Sequence, residues 1–91
     1  MSHIRIERTH SLGLEAAREK AEKLGERFAR EYGLSHGWRG NTLVFQRTGV
    51  DGRIDVSEDR VVVDIRLGLL LSAMGGVLKS EIERGLDKAL V

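Results

Sequence analysis

The sequence predicts an α+β fold: a two-layer sandwich in the order β-α-β-β-β-β-α, with both helices packed on one face of an antiparallel sheet. Three observations predict it. Apolar and polar residues alternate over His3–Thr9 and again between residues 35 and 67, the period of half-buried strands. Apolar residues recur at steps of three and four between Leu14 and Tyr32, and again from about Leu70 to Leu90, the period of amphipathic helices. Four strand-like runs follow one another with only short polar turns between them, which favours hairpins over parallel crossovers.

The first strand, His3–Thr9, sets Ile4 and Ile6 on one face and His3, Arg5 and Glu7 on the other. Ser11 then reads as the N-cap of a long helix. Leu14, Ala17, Ala21, Leu24, Phe28 and Tyr32 draw its apolar stripe. Gly33 suits the left-handed position after its last turn. Residues 35–39 (SHGWR) form a short strand, and Gly40-Asn41 supplies a turn. Thr42–Thr48 is the next strand, with Leu43 and Phe45 on one face and Arg47 beside them by alternation. Gly49 to Gly52 reads as a loop, Arg53–Val56 as a short strand, and Ser57 to Arg60 as a polar turn. Val61–Leu67 is the strongest strand, with Val61, Val63, Ile65 and Leu67 alternating. The last helix runs roughly from Leu70 to Leu90, with Leu71, Met74, Leu78, Ile82 and Ala89 on its apolar side and Gly75-Gly76 inside it. If the first helix runs back along the sheet, the last strand lies antiparallel to the first. Arg5 and Glu7 then stand near Asp64 and Arg66.

Ninety-one residues imply one domain, 1–91, with a thin core. The chain has no cysteine, which removes disulfides, thiol catalysis and Cys-ligated zinc. Met1–His10 lacks the apolar region of a signal peptide. Cytoplasmic residence is the expectation. A net charge of +1, with acids interleaved among the arginines and only 4% aromatic residues, is no nucleic-acid footprint.

No residue set stands out as catalytic. His3, His10 and His36 sit apart, with no nucleophile or second histidine at useful spacing, and solvated surface positions explain them better. Asp51 and Asp55 flank Gly52 but lack the spacing and closing Glu of a calcium loop. The glycines match no phosphate-binding fingerprint. The reading is a non-enzyme with no cofactor and no metal.

One feature exceeds what the fold requires. Leu67 to Leu78 (LGLLLSAMGGVL) carries no charge, in a chain that is 32% charged. At twelve residues it is too short to span a bilayer, which needs about 20. Leu71, Met74 and Leu78 share one helical side with Leu70, but Leu69, Ala73 and Val77 spread round the back. Leu69, Leu70, Ala73, Met74 and Val77 are therefore the candidate apolar contact surface. Burial of the first turns at the sheet's end, under the first helix, is the structural reading of this run; a homodimer interface, an acyl-chain pocket and an outside apolar surface are the competing functional uses. A second site is a ligand pocket between the sheet and the last helix, lined by Phe45, Ile65, Leu71 and Leu78 and shaped for an acyl or hydroxyacyl chain.

Three stretches carry a resemblance: HIRIERTHSLGLEAAREKAEKL at the start, GVDGRIDVSEDRVVVDIRLG in the middle and LLLSAMGGVLKSEIERGLDKAL at the end. Together they resemble the polyhydroxyalkanoic acid system protein family, small bacterial proteins associated with polyhydroxyalkanoate storage polymer. The resemblance implies a granule-associated role in the bacterial cytoplasm, with a storage granule or granule protein as partner. It supplies no catalytic residues to carry over.

Overall fold

The computed structural model describes residues 2–90, with the side chains of Ser2 and Leu70 outside that description. Its order is β1 (Ser2–Thr9), α1 (Leu14–Tyr32), β2 (Ser35–Arg39), β3 (Thr42–Arg47), β4 (Val50–Val56), β5 (Arg60–Leu67), a 3-10 segment (Leu69–Met74) and α2 (Gly75–Ala89). The five strands form one sheet in the order β1-β5-β4-β3-β2, and every neighbouring pair is antiparallel. β1 and β5 pair as expected, but in the register Arg5↔Asp64 and His3↔Arg66, with Glu7 opposite Val62.

Alternation places one residue of each pair in the core. Ile4 and Ile6 of β1, Leu43 and Phe45 of β3, Ile54 and Val56 of β4, and Val61, Val63, Ile65 and Leu67 of β5 are all buried on the helix side. Among the described residues nothing covers the opposite face, which holds the charged residues, the usual state of an antiparallel sheet packed on one side. There His3 pairs with Asp64 at 2.7 Å, Glu7 with Arg60 at 3.0 Å and Arg53 with Asp55 at 3.3 Å. No polar or charged residue is buried among the described residues.

α1 packs tightly because small residues face the sheet. Ala17, Ala21, Gly25 and Ala29 form its buried line, four residues apart. Leu24, Phe28 and Tyr32, expected on the same stripe, are only half-buried; Leu24 abuts α2 at Gly85, and Tyr32 reaches α2 through Glu81. α2 closes the layer with Leu78, Ile82 and Leu86, over β1 and beside α1. A clasp fixes it there: Arg8 of β1 donates to Asp87 at 2.9 Å and to Glu83 at 3.1 Å.

Four expectations need correction. Ser11 does not cap α1; Gly13 holds that position, at φ 83, with no side-chain cap. His10 takes up the local role, its Nδ1 accepting from the Leu12 N–H at 3.2 Å. The loop expected at Gly49 to Gly52 shrinks to Thr48-Gly49, because β4 begins at Val50. Gly52 is buried in the strand, where a Cβ would stand 3.2 Å from Ile65 Cγ1 and 3.8 Å from the Phe45 Cβ; the missing side chain makes room for those two. The final helix does not begin at Leu70: residues 69–74 are a 3-10 segment, and Gly75-Gly76 stand in the first turn of α2 rather than inside it.

Candidate apolar contact site

β5 delivers Leu67 into the core, 1% exposed, and the chain must then leave the sheet. Gly68 makes the exit. Its N–H donates to the Gly49 carbonyl at 2.8 Å, tying the end of β5 to the turn between β3 and β4. The fit is close, since a Cβ on Gly68 would lie 3.4 Å from the Gly49 Cα. The Gly68 carbonyl then accepts from the Leu71 N–H at 3.1 Å and from the Ser72 Oγ at 3.0 Å. These bonds wind the next residues into a 3-10 turn. No side chain caps this turn or α2, and neither carries an acid in its first turn. The apolar sequence here forms a tight connector rather than the first turns of a well-capped helix.

That connector sorts its side chains by direction. Leu71 turns inward, its Cδ1 3.5 Å from where a Cβ on Gly49 would be. Leu78, 4% exposed, joins the core. Leu69, Met74 and Val77 face outward, at 82%, 39% and 60% exposure, and Ala73 is exposed with them. Leu69, Met74 and Val77 are the exposed large hydrophobic residues among the described positions, and all three fall within the 3-10 segment and the first turn of α2. The Leu70 side chain lies outside the described residues.

The residues proposed to line a ligand pocket do not share one space. Phe45 and Ile65 border a cavity of about 40 Å³ between α1, α2 and the sheet. That is room for a water molecule, not for an acyl chain. Leu71 and Leu78 border a separate open groove of about 330 Å³, whose walls include Phe28, Leu34, Val50 and Met74. Arg47 stands at its rim and donates to the Tyr32 carbonyl at 2.6 Å. The Tyr32 hydroxyl donates to Glu81 at 2.7 Å, joining α1 to α2 beside the groove. Desolvation, then the Glu81 bond and charge, push the Tyr32 phenol up to about 12. Of the residues expected to line a pocket, Leu71 and Leu78 reach this groove; its other walls come from α1 and the turn after it, β3, β4, β5 and Met74 of the 3-10 segment.

The titratable residues stay dispersed. His3 meets Asp64, but the flanking ladder positions carry Arg5, Arg66 and Arg53, and none of these is a nucleophile. His10 lies beside the Ser57 carbonyl at 3.2 Å, and His36 stacks on Phe45 with ring centres 6.1 Å apart. Asp51 and Asp55 point from the same face of β4 but sit about 13 Å apart along the strand, one near Gln46 and the other bonded to Thr42. No group of three or more potential metal ligands converges among the described residues. Trp38 is half-buried, with the Arg18 guanidinium 4.4 Å over its ring. No helix among the described residues is long and apolar enough to cross a membrane.

Comparison with family models decides the chain's kinship. The model described as "Putative polyhydroxyalkanoic acid system protein" matches residues 4–90. The chain belongs to this family. The matched span runs from the first strand to the end of α2, so it includes the exposed connector and the groove. Comparisons with curated proteins and with solved structures find no match. Membership in the polyhydroxyalkanoic acid system family assigns a role in the polyhydroxyalkanoate system without naming a reaction.

Proposed function

We propose that this family member is a non-catalytic accessory protein of bacterial polyhydroxyalkanoate metabolism, acting in the cytoplasm by apolar contact with a storage granule or a granule protein. The observation that carries the reading is the outward display of Leu69, Met74 and Val77, with Ala73 among them, on the connector before α2. An uncovered cluster of large apolar residues beside polar surface marks a contact site more often than scattered single residues do. Burying a leucine or valine side chain gives about 1.5–3 kcal/mol each. A flat contact buries such side chains only in part and association has its own cost, so the attachment they support is weak and reversible. Gly68 and its bond to Gly49 anchor the connector at the sheet end, and Leu69, Met74 and Val77 are exposed in the folded chain, so they can meet a flat surface without unfolding. The test is co-sedimentation of the protein with polyhydroxyalkanoate granules, for the wild type and for Leu69→Ser and Met74→Ser. Equal binding by folded variants would sink the proposal.

A second reading rests on the groove. Its walls are mostly apolar, its volume of about 330 Å³ lies at the lower end of ligand sites, and Arg47 offers a cation at the rim. An acyl or hydroxyacyl chain would lie along Leu71, Met74 and Leu78 with its carboxyl end toward Arg47. Calorimetric titration with a medium-chain hydroxyacid tests it: heat that disappears in Leu78→Ala and Arg47→Ala supports it, and no heat with the wild type dismisses it.

A further inference from the structure

We propose that β1 is a self-association edge that joins two copies of this chain into one continuous antiparallel sheet. β1 is an outer strand of the sheet and the longer of the two edges, eight residues against five for β2. Edge strands usually carry a device that blocks further pairing, such as proline, a bulge, a very short length or charged side chains. β1 contains no proline or glycine, and its register with β5 is unbroken from Ser2 to Thr9. Its charges are Arg5 and Glu7 on the open face and Arg8 on the helix side, and the Arg8 guanidinium reaches the edge only at the Glu7 carbonyl.

The hydrogen-bond parity shows which backbone groups are free. His10 continues the register and donates to the Asp59 carbonyl at 2.9 Å, so the even-numbered residues bond inward to β5. The Glu7 carbonyl instead accepts the Arg8 side chain, from Nη1 at 3.0 Å, and so points away from β5. His3, Arg5, Glu7 and Thr9 therefore present their N–H and C=O groups to the open edge. Two copies must pair odd residue to odd residue.

Charge then selects the register. With the two-fold axis at Ile6, Arg5 faces Glu7 of the second copy, Glu7 faces its Arg5, and His3 faces its Thr9. Each of these pairs exchanges both backbone bonds, and the facing charges are opposite. Moving by one pair in either direction sets Arg5 against Arg5 or Glu7 against Glu7, which is repulsive. The Arg5 N–H of the second copy takes the place of the Arg8 guanidinium on the Glu7 carbonyl. Arg8 keeps Asp87 and Glu83, and Glu7 keeps Arg60. Because the axis is perpendicular to the sheet, both helical layers lie on the same side. The connectors after β5 project from opposite ends of the dimer, uncovered by the new contact.

The test uses the whole chain without polymer, so its outcome is independent of granule binding. Sedimentation velocity at high micromolar concentration should give twice the chain mass for the wild type. Arg5→Pro removes an outward N–H that the monomer does not use, and proline is tolerated at such edge positions; it should give a single-chain mass with unchanged circular dichroism. Because the chain has no cysteine, Arg5→Cys chains oxidised together with Glu7→Cys chains should cross-link to each other, with facing Cα atoms about 5.5 Å apart. A single-chain mass for the wild type, or Arg5→Cys chains cross-linking chiefly to themselves, would overturn the proposal.

Discussion

Gly25 of α1 lies against Phe45 of β3 so closely that a Cβ at position 25 would stand 2.8 Å from Phe45 Cζ and 2.5 Å from Leu43 Cδ2. Both neighbours are packed in the core, so one of them must shift to admit the methyl group. Overpacking of this kind costs about 1–3 kcal/mol, while alanine at a helix interior gains back at most about 1 kcal/mol. Gly25→Ala should therefore lower the unfolding free energy by about 1 kcal/mol net, and Gly25→Val by more. Urea denaturation checks this; a midpoint equal to or above the wild type would show that α1 does not rest on the sheet through residue 25.

Gly76 gives the opposite expectation. It is helical and exposed in the first turn of α2, and a Cβ there would meet nothing within 4 Å. Gly76→Ala should raise stability by about 0.5–1 kcal/mol, chiefly by restricting the unfolded chain. A thermal midpoint below the wild type would mean that the backbone at this turn is not helical.

The chain has a single tyrosine, so its phenol absorbance reports Tyr32 alone. In the folded protein the midpoint should lie near 12 rather than 10.0, raised by desolvation first and by Glu81 second. The folded value is the higher one. The stability gained by keeping the phenol protonated is therefore fully present below pH 10.0 and lost as pH rises through about 12. Glu81→Gln should move the midpoint down toward 10.0, and an unchanged midpoint would remove Glu81 as a cause.

Arg8 binds two carboxylates of α2, with its own side chain 32% exposed and Asp87 at 61%. Solvent screens a pair this open, so Arg8→Ala should cost about 1 kcal/mol at low salt. The loss should shrink as salt is raised, because the Debye length contracts. A salt-independent loss would assign the effect to packing of the Arg8 stem instead.

These energetics show which parts of the structure were legible in the sequence. Ile4 and Ile6, and Val61 to Leu67, announce their strands because alternation is a local property of the chain. The helix side of Arg47 follows from the same alternation. Gly52 misleads because a glycine ordinarily signals a turn, whereas here the space it leaves is filled by Phe45 and Ile65 from two other strands. Ser11 misleads because His10 rather than a helix cap satisfies the local N–H. The connector was visible as an uncharged run, but the direction of Leu69 was not. That direction depends on Gly68 meeting Gly49, a contact between distant positions with no local signature. Leu71 and Leu78 were legible as pocket residues, but the walls that α1, β3, β4 and β5 add to the groove were hidden for the same reason.

The central claim is that Leu69 and Val77 form a contact surface rather than part of the core. Its most direct test is granule co-sedimentation of the Leu69→Ser/Val77→Ser double variant, compared with the wild type and with Gly76→Ala as a structural control. The side chains are 82% and 60% exposed, so stability should change by no more than about 0.5 kcal/mol. Binding should fall roughly tenfold or more, at about 1.4 kcal/mol per decade, while Gly76→Ala binds as the wild type does. A folded double variant that sediments with granules as well as the wild type would contradict the account.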